Sequence, residues 1–152
     1  MRLALAGALA VALLATAAAS ASTPSAYRAK VNGICRGYTP RFKSFEAALQ
    51  KAEANKDGYA YGVALGKLIG LGLRQDAQVE AVPVPPALAV RMRPILARFR
   101  RIDVHLRLAV VDAAHGDGQG MVAEIRTVNT IGSPLNRMLD AARLRDCGSN
   151  QP

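Results

Sequence analysis

PPALAVRMRPILARFRRIDVHLRLAVVDAAHG, residues 85–116, decides how this chain folds. Leu88, Met92, Ile95, Phe99, Ile102, Leu106, Ala109 and Ala113 recur at alternating spacings of four and three residues, without a gap. On a helix that spacing keeps every apolar group on one stripe, whereas on a strand it would scatter them over both faces. Pro85-Pro86 suits a first turn, where a missing N–H is harmless, and Gly116 suits a stop. A stripe sustained this long predicts a helix packed lengthwise against others, as in a bundle.

The same spacing extends in both directions. Met121, Ile125, Val128, Gly132, Leu135, Leu139 and Ala142 predict a further helix, with Asp117 as N-cap and Gly148 as its C-terminal stop. Tyr27, Val31, Ile34, Tyr38, Phe45, Ala48 and Ala52 predict a first helix from about Pro24 to Asn55. Pro40, Pro94 and Pro134 fall inside these helices, yet the register runs across each of them, and all three map to the outer face. They predict bends around the core. The competing reading starts a new helix at each proline and gives six or seven short ones.

Residues 58–73, GYAYGVALGKLIGLGL, predict helix two. Gly58, Gly62, Gly66 and Gly70 recur every fourth residue as a small-residue ridge, expected to admit a neighbouring backbone at close range. Each glycine costs up to about 1 kcal/mol against alanine, so that packing would have to offset several kcal/mol. Tyr59, Tyr61, Val63 and Leu65 also alternate with small residues in a strand-like way, but a lone strand finds no partner elsewhere in the chain. The expected fold is therefore all-α, an up-down four-helix bundle with long kinked helices. Composition agrees: 51% hydrophobic residues with only 5% aromatics and no Trp suit packed helices better than a β-sandwich.

The N-terminus reads as an export signal. Met1-Arg2 precede an apolar run from Leu3 to Ala15, too short to span a bilayer, and Ala19-Ser20-Ala21 fits a small-residue cleavage pattern. The expected division is a signal peptide over 1–21, a bundle domain over 22–148 and a disordered tail over 149–152. The expected location is secreted or cell-envelope associated. In an oxidising compartment the two cysteines, Cys35 and Cys147, predict a disulfide; two free buried thiols are the alternative. Antiparallel helices bring the start of helix one and the end of helix four to the same end of a bundle. The heights disagree, however: counting from the opposite end, the cysteines differ by about 13 Å if helix four runs straight to Cys147.

Ile34-Cys35, Pro85-Pro86, Gly116-Asp117 and Leu144-Arg145-Asp146-Cys147-Gly148 together resemble a loose group of uncharacterised exported or lipid-anchored helical proteins of high-GC Gram-positive bacteria. The resemblance implies a helical bundle and a paired Ile-Cys and Cys-Gly. It implies no activity and no functional residues. The chain departs from the lipid-anchored members in lacking a membrane-proximal cysteine.

Motifs for catalysis are missing. His105 and His115 are ten residues apart, off ligand spacing and outside any sequence cluster of carboxylates. Asp103 and Asp112 fall on different faces of helix three. No nucleophile elbow, phosphate loop or zinc-protease motif occurs, so no catalytic residue, metal or cofactor is expected. What remains is charge. Beyond residue 21 the chain carries a net charge of +8, concentrated in 22–56 (+5) and 85–115 (+4). Arg93, Arg100 and Arg107 repeat every seven residues as one row, predicting affinity for anionic partners such as lipid headgroups or envelope polymers. Nucleic acid is disfavoured, because no aromatics interleave with the arginines. The expected function is a non-enzymatic binding or structural role at the envelope; the alternative is membrane association or self-association through the basic helices and glycines 58–70.

Overall fold

The computed structural model describes residues 23–148, which form four helices and a short 3-10 turn. Helix α1 spans Pro24–Ala54, α2 Gly58–Glu80, α3 Pro86–Ala114 and α4 Gly118–Ala141, and the 3-10 turn spans Arg145–Cys147. The expected signal peptide and tail lie outside the described residues. The chain is all-helical: Pro40, Pro94 and Pro134 all sit inside continuous helices. The competing reading of many short helices therefore fails. Pro40 and Pro94 are solvent-exposed, where a missing N–H and a tilted carbonyl can be met by water.

Helix α1 lies along α2, and α3 along α4, so the fold is two helical hairpins joined where α2 meets α3. The two hairpin tips repeat one another at an offset of 60 residues. Each first helix ends on a residue with positive φ, Lys56 (54°) and Gly116 (76°). Each second helix is then capped by an aspartate, Asp57 and Asp117. The offset persists into the core: Leu71, Val79 and Val82 are buried, as are Ile131, Leu139 and Ala142. Between them Gln75 stands where the second hairpin has Leu135, and both are buried.

Helix α2 runs to Glu80, well past the expected end at residue 73, because Gln75, Asp76 and Val79 continue its buried face. Helix α4 is shorter than expected and stops at Ala141 rather than near Gly148. Arg143 turns left-handed (φ 64°), and the Leu144 N–H returns to the Leu139 carbonyl at 2.8 Å. This is a Schellman-type ending, with arginine in the place glycine usually takes. Gly148 has a different role from the expected helix stop. A Cβ there would stand 3.0 Å from the Asn136 carbonyl and 2.6 Å from Asp140 Oδ1, so the returning chain needs a glycine to lie this close to α4.

That reversal removes the expected mismatch in height. Cys147 comes back beside α1, with a Cα–Cα distance of 5.2 Å to Cys35 and the two Sγ atoms within bonding distance. Polar contacts hold the return. Arg28 donates to the Ala142 carbonyl (2.9 Å), Asn32 to the Arg143 carbonyl (3.1 Å) and Arg91 to the Ala141 carbonyl (3.3 Å). These satisfy acceptors that the end of α4 leaves open. Arg36 pairs with Asp146 at 2.6 Å.

Burial is uneven along the bundle. The most fully enclosed side chains include Tyr27, Val31, Leu71, Met92, Ile95 and Leu144, all towards the cysteine end. Towards the tips the stripes lose their cover: Ala48 and Ala113 are exposed, and Met121 and Ile125 are half-buried. The hairpins therefore close tightly at one end and stand apart at the other.

Candidate functional site

Two features accompany this uneven closure: an open apolar surface at the tips and a partly polar cavity nearer the cysteines. At the tips, α2 presents Tyr59 (85% exposed), Tyr61 and Val63, and α3 presents Val110 and Val111. A groove of about 410 Å³ runs between α2 and α3 and is floored by Gly58, Gly62 and Gly66 opposite Ala109 and Ala113. A Cβ added at Gly58, Gly62 or Gly66 would meet nothing within 4 Å; at Gly70 it would meet only the end of Arg74, at 3.6 Å. The close backbone approach expected of the glycine ridge is thus not formed. The ridge exists, but the helix that should cover it diverges, and the glycines line open space.

A second groove, about 540 Å³, lies between α1 and α2 on the other side of Tyr59 and Val63. Phe45 and Ala48 line it, and Lys51 and Lys67 stand on its walls. Tyr59 and Val63 therefore form an exposed apolar ridge between two grooves, flanked by ammonium groups.

The expected arginine row is exposed on α3, but it is not a free array of charge. Arg100 pairs with Glu80 at 3.1 Å, and Arg107 acts on the Asp103 carboxyl. His105 has a partner that its sequence neighbourhood did not suggest: its Nδ1 lies 2.5 Å from Glu124 Oε2 on α4.

The cavity, about 280 Å³, opens between α2, α3 and α4 against Cys35 and Cys147. Its walls are mostly apolar, with Phe42, Phe99, Leu106 and Val128 among them. Its polar lining includes Gln75, Asp76 and Asn136. Gln75 is only 5% exposed, and its Nε2 is buried with no hydrogen-bond partner among the described residues. Asp76 is 8% exposed. Burial pushes the Asp76 carboxyl well above the ordinary range; the Asp103 carboxyl beside it, and then Glu80, add to the rise. Burial also raises Asp103, while its hydrogen bond with Asp76 and the Arg107 guanidinium oppose the rise. Two carboxyls can bond only while one of them holds a proton, and the interaction favours that proton on Asp76, since it raises Asp76 and lowers Asp103.

Gln75 and Asp76 lie beyond residue 73, the end expected for helix two, so the local pattern does not single them out. Asp103 has no acidic neighbour on its own face of α3; its partner, Asp76, is on α2. No protein-family model, curated protein or solved structure matches this chain. Among the described residues no helix is long and apolar enough to cross a membrane, and no group of three or more His, Cys, Asp or Glu is placed to hold a metal.

Proposed function

We propose that this is an exported, non-enzymatic helical bundle that works by binding at the cell envelope, with the hairpin tips as the contact surface for an anionic lipid interface. One observation carries the reading: Tyr59 and Val63 are exposed between two grooves and flanked by Lys51 and Lys67. Large exposed apolar groups gathered at one end of a small protein mark an interaction surface. Tyrosine favours the headgroup region, and lysine can lay its stem on apolar surface while its ammonium reaches phosphate. The wider excess of positive charge, including Arg93, Arg100 and Arg107, adds long-range attraction. Shallow docking is the mode this supports.

Self-association is the second reading, favoured by the uncovered glycine floor of the α2–α3 groove. Co-sedimentation with anionic and with neutral vesicles separates the two. The mature chain should bind anionic vesicles at low salt and release as salt rises. Lys51→Gln with Lys67→Gln should weaken binding by roughly tenfold or more, at about 1 kcal/mol per basic residue near the surface. Tyr59→Ser should weaken it on anionic vesicles at every salt concentration. Replacing Arg93, Arg100 and Arg107 by Gln should reduce only the salt-sensitive part. Absence of vesicle binding at low salt defeats the lipid reading, and a concentration-dependent dimer lost in Gly66→Leu would support self-association instead.

A further inference from the structure

The cavity beside Cys35 and Cys147 lies outside the tip surface and has chemistry of its own. At about 280 Å³ it has room for on the order of ten heavy atoms, taking about 30 Å³ for each water-sized atom. Water alone fits it poorly. An ordered water needs two to four polar partners, and most of this wall is Phe42, Phe99, Leu106, Val128 and other apolar groups. The polar lining is Gln75, Asp76 and Asn136, and Gln75 Nε2 is buried without a partner among the described residues. An amphiphile, with an apolar body and a polar group, matches a lining that is mostly apolar with a few polar side chains.

Charge selects the polar end. Three acids meet here: Asp76 and Glu80 from α2 and Asp103 from α3. Two arginines, both from α3, answer them. Arg100 is taken by Glu80 at 3.1 Å, and Arg107 acts on Asp103. The charged groups acting on Asp76 are acidic, and Asp76 is the acid that lines the cavity. From α4 the polar lining is Asn136, an uncharged amide.

We propose that this cavity binds a small organic ammonium ion with an apolar body. Its N–H groups donate to the Asp76 carboxylate, its body lies on Phe42, Phe99 and Leu106, and Gln75 Nε2 donates to a water carried in with it. Where Asp76 holds a proton, the entering cation takes its place and that proton leaves to solvent, so charge balances. A charge-assisted bond in a dry pocket is stronger than a neutral one, which makes the amine preferred over an alcohol of the same shape.

Benzylamine is the test ligand and benzyl alcohol its neutral counterpart, titrated into the folded mature chain. Benzylamine should bind at least about tenfold more tightly than benzyl alcohol, and should move the Gln75 side-chain amide resonances in an NMR titration. Calorimetry in buffers of different ionisation heat should show proton release below the pH at which the pair has already lost its proton. Asp76→Asn should bring benzylamine down to the level of the alcohol and leave the alcohol unchanged. Equal affinity for the two ligands, unmoved Gln75 resonances, no binding of either, or full amine binding by Asp76→Asn would each overturn the proposal. If Asp76→Asn does not fold, the wild-type ratio and the Gln75 shifts decide.

Discussion

Asp57 and Asp117, 60 residues apart, cap the second helix of each hairpin in the same way. The Asp57 carboxylate accepts from the Ala60 N–H at 2.9 Å, and that of Asp117 from the Gly120 N–H at 2.8 Å. Their own N–H groups return to carbonyls five residues back, those of Ala52 and Asp112, both at 2.9 Å. Replacing either aspartate by alanine should cost about 1 kcal/mol, read from urea denaturation of the folded protein.

The residues just before these caps differ, and the difference is testable. Lys56 and Gly116 both have positive φ, a region that costs a residue with a Cβ roughly 1 kcal/mol. Lys56→Gly should therefore stabilise the protein by up to about 1 kcal/mol. Gly116→Ala should destabilise it by a similar amount, although no atom lies within 4 Å of the added Cβ. A result of the same sign for both would contradict the equivalence of the two tips.

Cys35 and Cys147 should be covalently joined in the folded protein, as mass spectrometry without reduction can establish by the lack of alkylatable thiols. The bond would close a loop of 112 residues, worth about 4–5 kcal/mol in the chain-entropy account. Cys35→Ser with Cys147→Ser should lower the denaturation midpoint accordingly. Two free thiols in the folded protein would leave the chain return at Arg143 held by its polar contacts alone.

Asp76 makes stability depend on pH in the direction opposite to a salt-bridged acid. Its carboxyl is raised by burial, then by Asp103 and Glu80, so the folded protein holds a proton that the unfolded chain releases. Stability is therefore full below the ordinary carboxylate range and falls as pH rises towards the raised value. Asp76→Asn should gain about 1–3 kcal/mol at alkaline pH, and the gain should vanish on acidification below the ordinary carboxylate range. A gain that is constant across pH would mean that Asp76 is not the titrating group.

Gly62 and Gly66 line open space, so each should accept alanine without collision. Gly62→Ala and Gly66→Ala should each raise the thermal midpoint, by up to about 1 kcal/mol of helix propensity. A loss of stability in either would mean that another chain or helix covers the ridge in solution.

The helix boundaries show how far local signals reach. The start of α1 at Pro24, the paired prolines before α3 and the aspartate before α4 were all legible, because capping and proline chemistry act within one turn. The apolar stripe of α3 also held, with every position from Leu88 to Ala109 buried. The glycine ridge misled, since four-residue spacing shows that a close approach is possible but not that a second helix comes near. Gln75 left a trace that could have been found. Aligning the hairpins at their Asp-Gly tips puts this polar residue at the Leu135 position of an otherwise apolar pattern.

By itself, the sequence determined that the chain is helical, where most helices begin, and that Pro40 and Pro94 could be carried on the outside, whereas Pro134 is half-buried. Those properties depend on periodicity and on contacts between residues a few places apart, which a linear reading contains. Tertiary structure alone decided that α4 ends at Ala141 and the chain turns back, so that Cys147 meets Cys35. It alone paired Asp76 with Asp103, and His105 with Glu124, across different helices. It alone left the tips apart with Tyr59 in the open. The reason is physical: how two helices diverge depends on the summed packing of all four. No local spacing encodes the distance between faces that are far apart in the chain.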